Sequence, residues 1–294
     1  MKNDINIKKN YFIHGESFPD GVMFNDDRFL SVSYKIRKGE IKNKIIKIDS
    51  ILRKFPFLNN IIIIRGLVNF FEGSANQYIA RNQIYRNKKD ENFNKSIIFL
   101  NITGILFTGF FLYFLIPTLI SFFLLKYDLD FNVLYAIEVF VRLILFILIF
   151  LIINLTNSGK KTSFFHGAEH KTILCYNFGE KINIKNVKKY PIYNPSCGTS
   201  FIFLLLIISI PVFYFLNYEN IILKLVVMLL LLPLLIGLSF DISFWYGKHK
   251  IKKREIPSSK FFILQRLNTK EPEKEHLKIS IDALTKLLDL YKEK

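Results

Sequence analysis

The sequence holds 294 residues, 51% of them apolar and 22% charged, with 31 Phe; it is too apolar for a disordered chain and long enough for one or two domains. Its 41 Lys+Arg against 24 Asp+Glu suit either nucleic acid or an anionic membrane, so the placement of the charges decides. No charge falls between Lys95 and Lys126, a gap of 30 positions, which exceeds the ~20 residues needed to cross a bilayer and excludes a purely soluble fold.

In chain order, residues 1–56 form a charged region with β signals. From Arg28 to Ile36 polar and apolar residues alternate, Arg37–Glu40 supplies a Gly turn, and Ile41 to Ile48 alternates again, which predicts a β-hairpin. Tyr11 to Phe24, with Gly15, Pro19 and Gly21, reads as a loop leading into a short strand. No secretory signal is read here, because no isolated apolar core precedes a small-residue cleavage site. Residues 57–95 are apolar at first and amphipathic later, interrupted by Arg65 and Glu72; they predict a helix lying in the membrane interface, with a re-entrant helix as the alternative.

Residues 96–240 form the membrane domain. After the uncharged run come Phe131 to Leu155, Thr199 to Tyr218 and Ile221 to Phe240, so four spans are expected, paired as two tight hairpins around a long loop at 156–198. An even number of spans puts both termini and that loop on one side. Residues 1–96 carry 18 Lys/Arg against 10 acidic residues, 156–198 carry 7 against 2, and 241–294 carry 13 against 8, while the remainder carries 3 against 4. The positive-inside rule makes the basic side cytoplasmic, giving a multi-pass cell-membrane protein with both termini in the cytosol. The basic residues are scattered among Ile and Phe near span ends, as binding to anionic lipid headgroups requires; nucleic acid is not expected as a partner. Glu138 and Arg142, four apart on the second span, form an expected intramembrane ion pair. Beyond Pro272, Leu277, Ile281, Leu284, Leu287 and Leu288 predict an amphipathic helix in the 241–294 tail, packed on its own protein.

The chemistry concentrates in the central loop. FHGAEHK places His166, Glu169 and His170 in an H-x-x-E-H arrangement. On a helix, positions i and i+4 share a face, so the two imidazoles can hold one metal ion while the adjacent carboxylate acts as general base on bound water, the spacing of the inverted zinc-peptidase motif. The bland alternative is polar capping near lipid headgroups. A catalytic zinc takes three protein ligands plus water, and the third ligand is sought first at Cys197, in NPSCGTS where the chain re-enters the membrane. Asp241, at the end of the last span, ranks second. Cys175 ranks third, since five residues after His170 it points about 140° away on a continuing helix.

HGAEHKTILCYNFGE, NPSCGTSFIFLLLIISI, LPLLIGLSFDIS and LQRLNTKEP, together with FPDGVMF, RKGEI and RGLVNFFEGSANQ upstream, resemble the YqhQ family of bacterial membrane proteins over most of residues 14–290. The resemblance implies a domain of unknown function bearing a metal-dependent-enzyme label, with its H-x-x-E-H on His166, Glu169 and His170 and its Cys-Gly-Thr-Ser block starting at Cys197. The expectation is a mainly α membrane protein with four transmembrane helices, a small cytoplasmic β-containing N-terminal region and a zinc-dependent, hydrolytic site of His166, His170, Cys197 or Asp241, with Glu169 as base. The rival expectation is a non-enzymatic scaffold or assembly factor.

Overall fold

A computed structural model of the chain describes residues 13–36, 39–85, 103–104, 107–216, 220–253, 255 and 265–292. The predicted hairpin is present as β3 (Phe29–Lys35) and β4 (Ile41–Lys47), antiparallel with Phe29 opposite Lys47 and Lys35 opposite Ile41; residues 37–38 at its tip lie outside the described residues. The segment before it differs from expectation. It holds a second hairpin, β1 (His14–Phe18) and β2 (Gly21–Asn25), joined by Pro19 and Asp20. Proline fixes φ and Asp favours turns, so Pro19 marks the turn between two strands, while Gly15 and Gly21, which also read as loop, lie within β1 and β2. The sheet is a simple meander in the order β1-β2-β3-β4.

Both faces of this sheet are covered, and strand alternation decides what each face meets. Val22 and Phe24 point into one apolar cluster with Phe165, Ile279, Ala283, Leu284 and Leu287. Met23, between them in sequence, joins Phe18, Leu30, Val32 and Ala80 on the other face. Ala80 belongs to α1 (Ile62–Tyr85); Phe165 to α4 (Asn157–Asn177), which fills the first half of the central loop; the Ile279–Leu287 group to α7 (Lys274–Asp289). The tail helix therefore packs on its own protein, with Leu277, Leu284, Leu287 and Leu288 buried and Ile279 taking the inward place that Ile281 was expected to share.

Between them in chain order are α2 (Phe107–Tyr127), α3 (Phe131–Leu155), α5 (Gly198–Tyr214) and α6 (Ile221–Lys252). Among the described residues three helices, α2, α3 and α6, are long and apolar enough to cross a membrane, and α5 is apolar but shorter. Residues 97–102 and 105–106 of the first predicted span, and 217–219 after α5, lie outside the described residues. Phe140, Ile222 and Leu230 on α3 and α6 are more than half exposed, a surface suited to lipid and costly in water.

The expected interfacial helix is helical over Ile62–Tyr85, and residues 86–95 lie outside the described ones. It lies along α6, and the contact is glycine against glycine: a Cβ on Gly66 would collide with the Gly237 carbonyl, and one on Gly237 with the Ile63 carbonyl. Such close approach of two backbones is the use of small residues in membrane helix packing.

A polar knot joins the membrane helices. Pro117 in α2 has no N–H to give the carbonyl one turn back, that of Tyr113, and Arg142 of α3 supplies the missing donor from Nε at 3.1 Å. Arg142 also pairs with Glu138, as its spacing predicts. Glu138 further accepts from Thr118 of α2 at 2.9 Å and from Lys224 of α6 at 2.7 Å, while the guanidinium lies 5.3 Å from the Phe213 ring of α5. Charged groups in an apolar interior persist only when paired in this way.

Gly66→Leu is expected to force α1 off α6 at a cost of about 1–3 kcal/mol, read as a lowered melting temperature in detergent. Gly73→Ala, on the same helix with open space around its Cβ, should leave stability unchanged or raise it slightly; equal losses in both would contradict the packing.

Candidate metal centre

Thr156 alone separates α4 from the long apolar helix α3. It caps α4, its Oγ1 accepting from the Gly159 N–H at 2.9 Å, so the histidines that follow are held at a set distance from the membrane helices. His166 and His170 lie on one helix face with ring centroids 4.3 Å apart. In each ring one nitrogen is committed: His166 Nδ1 meets the Asn268 carbonyl at 3.1 Å and His170 Nδ1 meets the Ile192 carbonyl at 2.6 Å. A carbonyl oxygen only accepts, so the protons sit on Nδ1 and both Nε2 atoms present lone pairs.

Those lone pairs converge. His166 Nε2 lies 3.3 Å from Cys197 Sγ, and the ligand atoms of His166, His170 and Cys197 all fall within 4.8 Å of one another. At ordinary Zn–N and Zn–S bond lengths, the donors around a tetrahedral zinc are roughly 3.3–3.6 Å apart. The His166–Cys197 pair already meets that at 3.3 Å, and the widest pair, within 4.8 Å, needs a contraction of at most roughly 1.5 Å. His170 Nε2 is buried with no hydrogen-bond partner, a condition that native structures rarely leave unexplained. Cys197 is the N-cap of α5, its Sγ accepting from the Thr199 N–H at 3.4 Å.

Glu169 faces the same point, with Oε2 at 3.6 Å from His170 Nε2 and 3.9 Å from His166 Nε2. Burial pushes its carboxyl up to about 7, and nearby His166 works against that shift. Burial lowers both histidines below their usual value, Glu169 opposing this at His166 and Cys197 at His170. Neutral imidazole is the form that binds metal.

Strand β1 closes the site from above. Gly15 lies so near Glu169 that a Cβ there would run into its carboxyl group. The next residue, Glu16, takes a hydrogen bond from Gln77 Nε2 at 3.4 Å, and its carboxyl is raised to about 8, first by burial and then by Glu169. His14 stacks on Phe244 at 5.4 Å and burial lowers its pKa to about 4. A cleft of about 1280 Å³ opens beside these groups, bounded by β1, α1, α4 and α6.

Of the predicted site residues, the structure thus brings together His166, Glu169, His170 and Cys197. Asp241 stands apart from the trio: Arg65 of α1 grips it with Nε at 2.6 Å and Nη2 at 2.8 Å, which engages both of its oxygens. Cys175 lies in a separate apolar cluster facing the Glu180 and Lys181 carbonyls, its thiol pushed up to about 11 by burial. Sequence reasoning missed Glu16, Arg65 and Asn268. Asn268 holds the His166 tautomer through its carbonyl and reaches Thr199 Oγ1 at 2.6 Å with its amide, while Gln265 donates to the Asn194 carbonyl and to Ser200. The blocks HGE at 14–16 and LQRLNT at 264–269 were visible, but no spacing rule links them to a motif 100 or more residues away.

The family described as "Protein of unknown function (DUF1385)" matches residues 61–290. The Uncharacterized protein YqhQ of Bacillus subtilis (strain 168) is 26% identical over 310 residues, covering 94% of this chain and 92% of that protein. No solved structure matches the chain.

The raised carboxyls fix a pH dependence for metal-free protein. Glu16 and Glu169 hold protons in the folded state that the unfolded chain, with carboxyl values near ~4.3, has already released. Their stability contribution is therefore present at low pH and lost as pH rises through about 7 and about 8. Between about pH 7 and 8, where Glu16 still exchanges its proton in the folded state, the histidines are largely neutral in both states. Cys175 adds a loss in the same direction towards the alkaline end, so the test is comparative: the melting temperature of metal-free wild type should fall across this window, and Glu16→Gln should flatten the fall. An equally steep decline in Glu16→Gln would place that carboxyl elsewhere.

Proposed function

The chain belongs to the DUF1385 family, whose description states no function, and from the geometry of its centre we propose that it is a membrane-bound, metal-dependent hydrolase, with zinc as the metal. The observation that carries this reading is the unpartnered, buried His170 Nε2 beside His166 Nε2 and Cys197 Sγ. Two nitrogens and one sulfur are a zinc donor set, and three protein ligands leave a fourth position for water or substrate. Cys175, the residue that would close the set as a structural site, is buried elsewhere.

A bound zinc would polarise the scissile group and acidify water at the fourth position. The chain's own residues supply the rest. Glu169 is placed to take the proton of the attacking water and return it to the leaving group. Its raised pKa, about 7, suits a group that must both accept and donate near neutrality. Glu16, on the same strand as Gly15, is itself raised to about 8 by burial and by the charge of Glu169, so it can hold a second proton. The Nδ1 contacts to Asn268 and Ile192 fix both rings in the ligating tautomer, as outer-shell carbonyls do in metal sites.

In this reading α5 is a fourth span, both termini and the centre face the cytoplasm, and the reaction takes place at the inner leaflet. The excess of Lys/Arg in residues 1–96, 156–198 and 241–294 supports that orientation. A second reading, a non-enzymatic scaffold or assembly factor, has one observation in its favour: Cys197 caps α5, so a metal there would tie a membrane helix to the cytoplasmic body without chemistry.

Purified wild type reconstituted with zinc should contain it stoichiometrically, and His170→Ala and Cys197→Ala should lose it. Absence of zinc from reconstituted wild type would remove both metal readings. Glu169→Gln separates them. The hydrolase reading expects retained zinc, an unchanged melting temperature and lost cellular function, whereas the scaffold reading expects function to survive.

A further inference from the structure

The walls of the cleft restrict what can be hydrolysed there. One wall is aromatic. Phe201 lies one turn into α5 from Cys197, its ring 5.4 Å from that of Phe240 on α6 and 5.5 Å from that of Phe70 on α1. Phe70 and Phe240 meet edge to face at 6.4 Å. All three line the cleft, with Ile202, Phe244 and Trp245 continuing the apolar surface. This wall is carried by α1, α5 and α6, of which α5 and α6 also expose large apolar residues such as Ile207, Ile222 and Leu230, and Trp245, 61% exposed, is of the residue type that settles at membrane–water boundaries. The apolar wall and the surface suited to lipid thus share two helices.

The reactive end has the opposite character. The Glu169 carboxyl lies beside the donors, and Glu16, on the strand that covers it, meets Gln77. Among the described residues, the Lys and Arg lining the cleft are Arg65, committed to Asp241, and Lys47, Arg53 and Lys248, all exposed. Among the described residues no free Lys or Arg accompanies the donors to grip the remaining oxygens of a phosphate, whose dianion would lose its hydration in a buried space without a cationic clamp. An uncharged carbonyl needs no such clamp, and an anionic headgroup would find the exposed Lys and Arg at the rim.

We propose that the cleft takes an amphiphile with a long acyl chain and an uncharged ester or amide carbonyl, the chain lying on the Phe70–Phe201–Phe240 wall and the carbonyl at the His166–His170–Cys197 centre. This rests on the hydrolase reading and specifies its substrate class. Water oxygen bonds to the carbonyl carbon and the bond to the leaving oxygen or nitrogen breaks with its electron pair. The proton that Glu169 takes from water passes to that leaving atom, giving a carboxylic acid and an alcohol or amine.

The sequence contains one tryptophan, Trp245, which makes the proposal measurable without turnover. Full-length protein in detergent is titrated with a long-chain fatty amide brominated at mid-chain, and Trp245 fluorescence is followed. The expected result is saturable quenching that unbrominated amide reverses, that acetamide does not reverse, and that the corresponding long-chain alkyl phosphate reverses at least about tenfold less well. Equal or stronger displacement by the phosphate, displacement by acetamide, or quenching that rises without saturation through micelle partition alone would each overturn the assignment. Zinc content is measured on the same sample: zinc without saturable amide binding sinks the substrate class and leaves the hydrolase reading, whereas saturable binding in protein that takes up no zinc sinks the hydrolase reading.

Discussion

An imidazole nitrogen buried without a hydrogen-bond partner costs on the order of 1–3 kcal/mol, and His170 Nε2 is such an atom. The chain could have relieved the cost by turning the ring, but the Ile192 carbonyl holds Nδ1 and prevents it. His166 is fixed in the same way by Asn268. Carbonyls supplied by distant loops thus choose the tautomers, and the tautomers choose which atoms face inward. The position of Glu169, the cover of β1 and the approach of Cys197 are all arranged around that choice.

Most of the remaining architecture serves to bring those partners to one place. The sheet and α7 clamp α4 from two sides through Val22, Phe24, Ile279 and Leu284, leaving its histidine face directed at the start of α5. α1 is pressed onto α6 by the paired glycines at 66 and 237, which brings Gln77 to Glu16 and Arg65 to Asp241. Within the membrane helices, the Glu138–Arg142–Lys224 knot ties α2, α3 and α6. Thr156, capping α4 directly after α3, carries that rigidity to the site.

What could be read from the sequence was local. The β3–β4 hairpin and α7 follow from periodicity, and the His166–His170 pair from one helical turn, because these patterns span fewer than twenty residues. Cys197 was legible as a companion of the two histidines from its place just before an apolar helix. What was not legible depends on long-range encounters. Asp241, the second-ranked third donor after Cys197, is engaged by Arg65, 176 positions away. The β1–β2 hairpin was hidden because Gly15 and Pro19 signal a loop, whereas Gly15 is there to let Glu169 approach. Glu16 belongs to no motif and acquires its character only from burial and its neighbour.

The centre draws on Gly15 near one end of the chain, on α4 and Cys197 in the middle, and on Asn268 near the other. A ribosome delivers these in order, so the two histidines emerge long before the carbonyl that orients His166. The pocket can be completed only after α5 and α6 have been made and residue 268 has left the exit tunnel. A chain abandoned during synthesis carries the motif without the carbonyl that sets the His166 tautomer, and segments made after the motif act as the latch on the cluster.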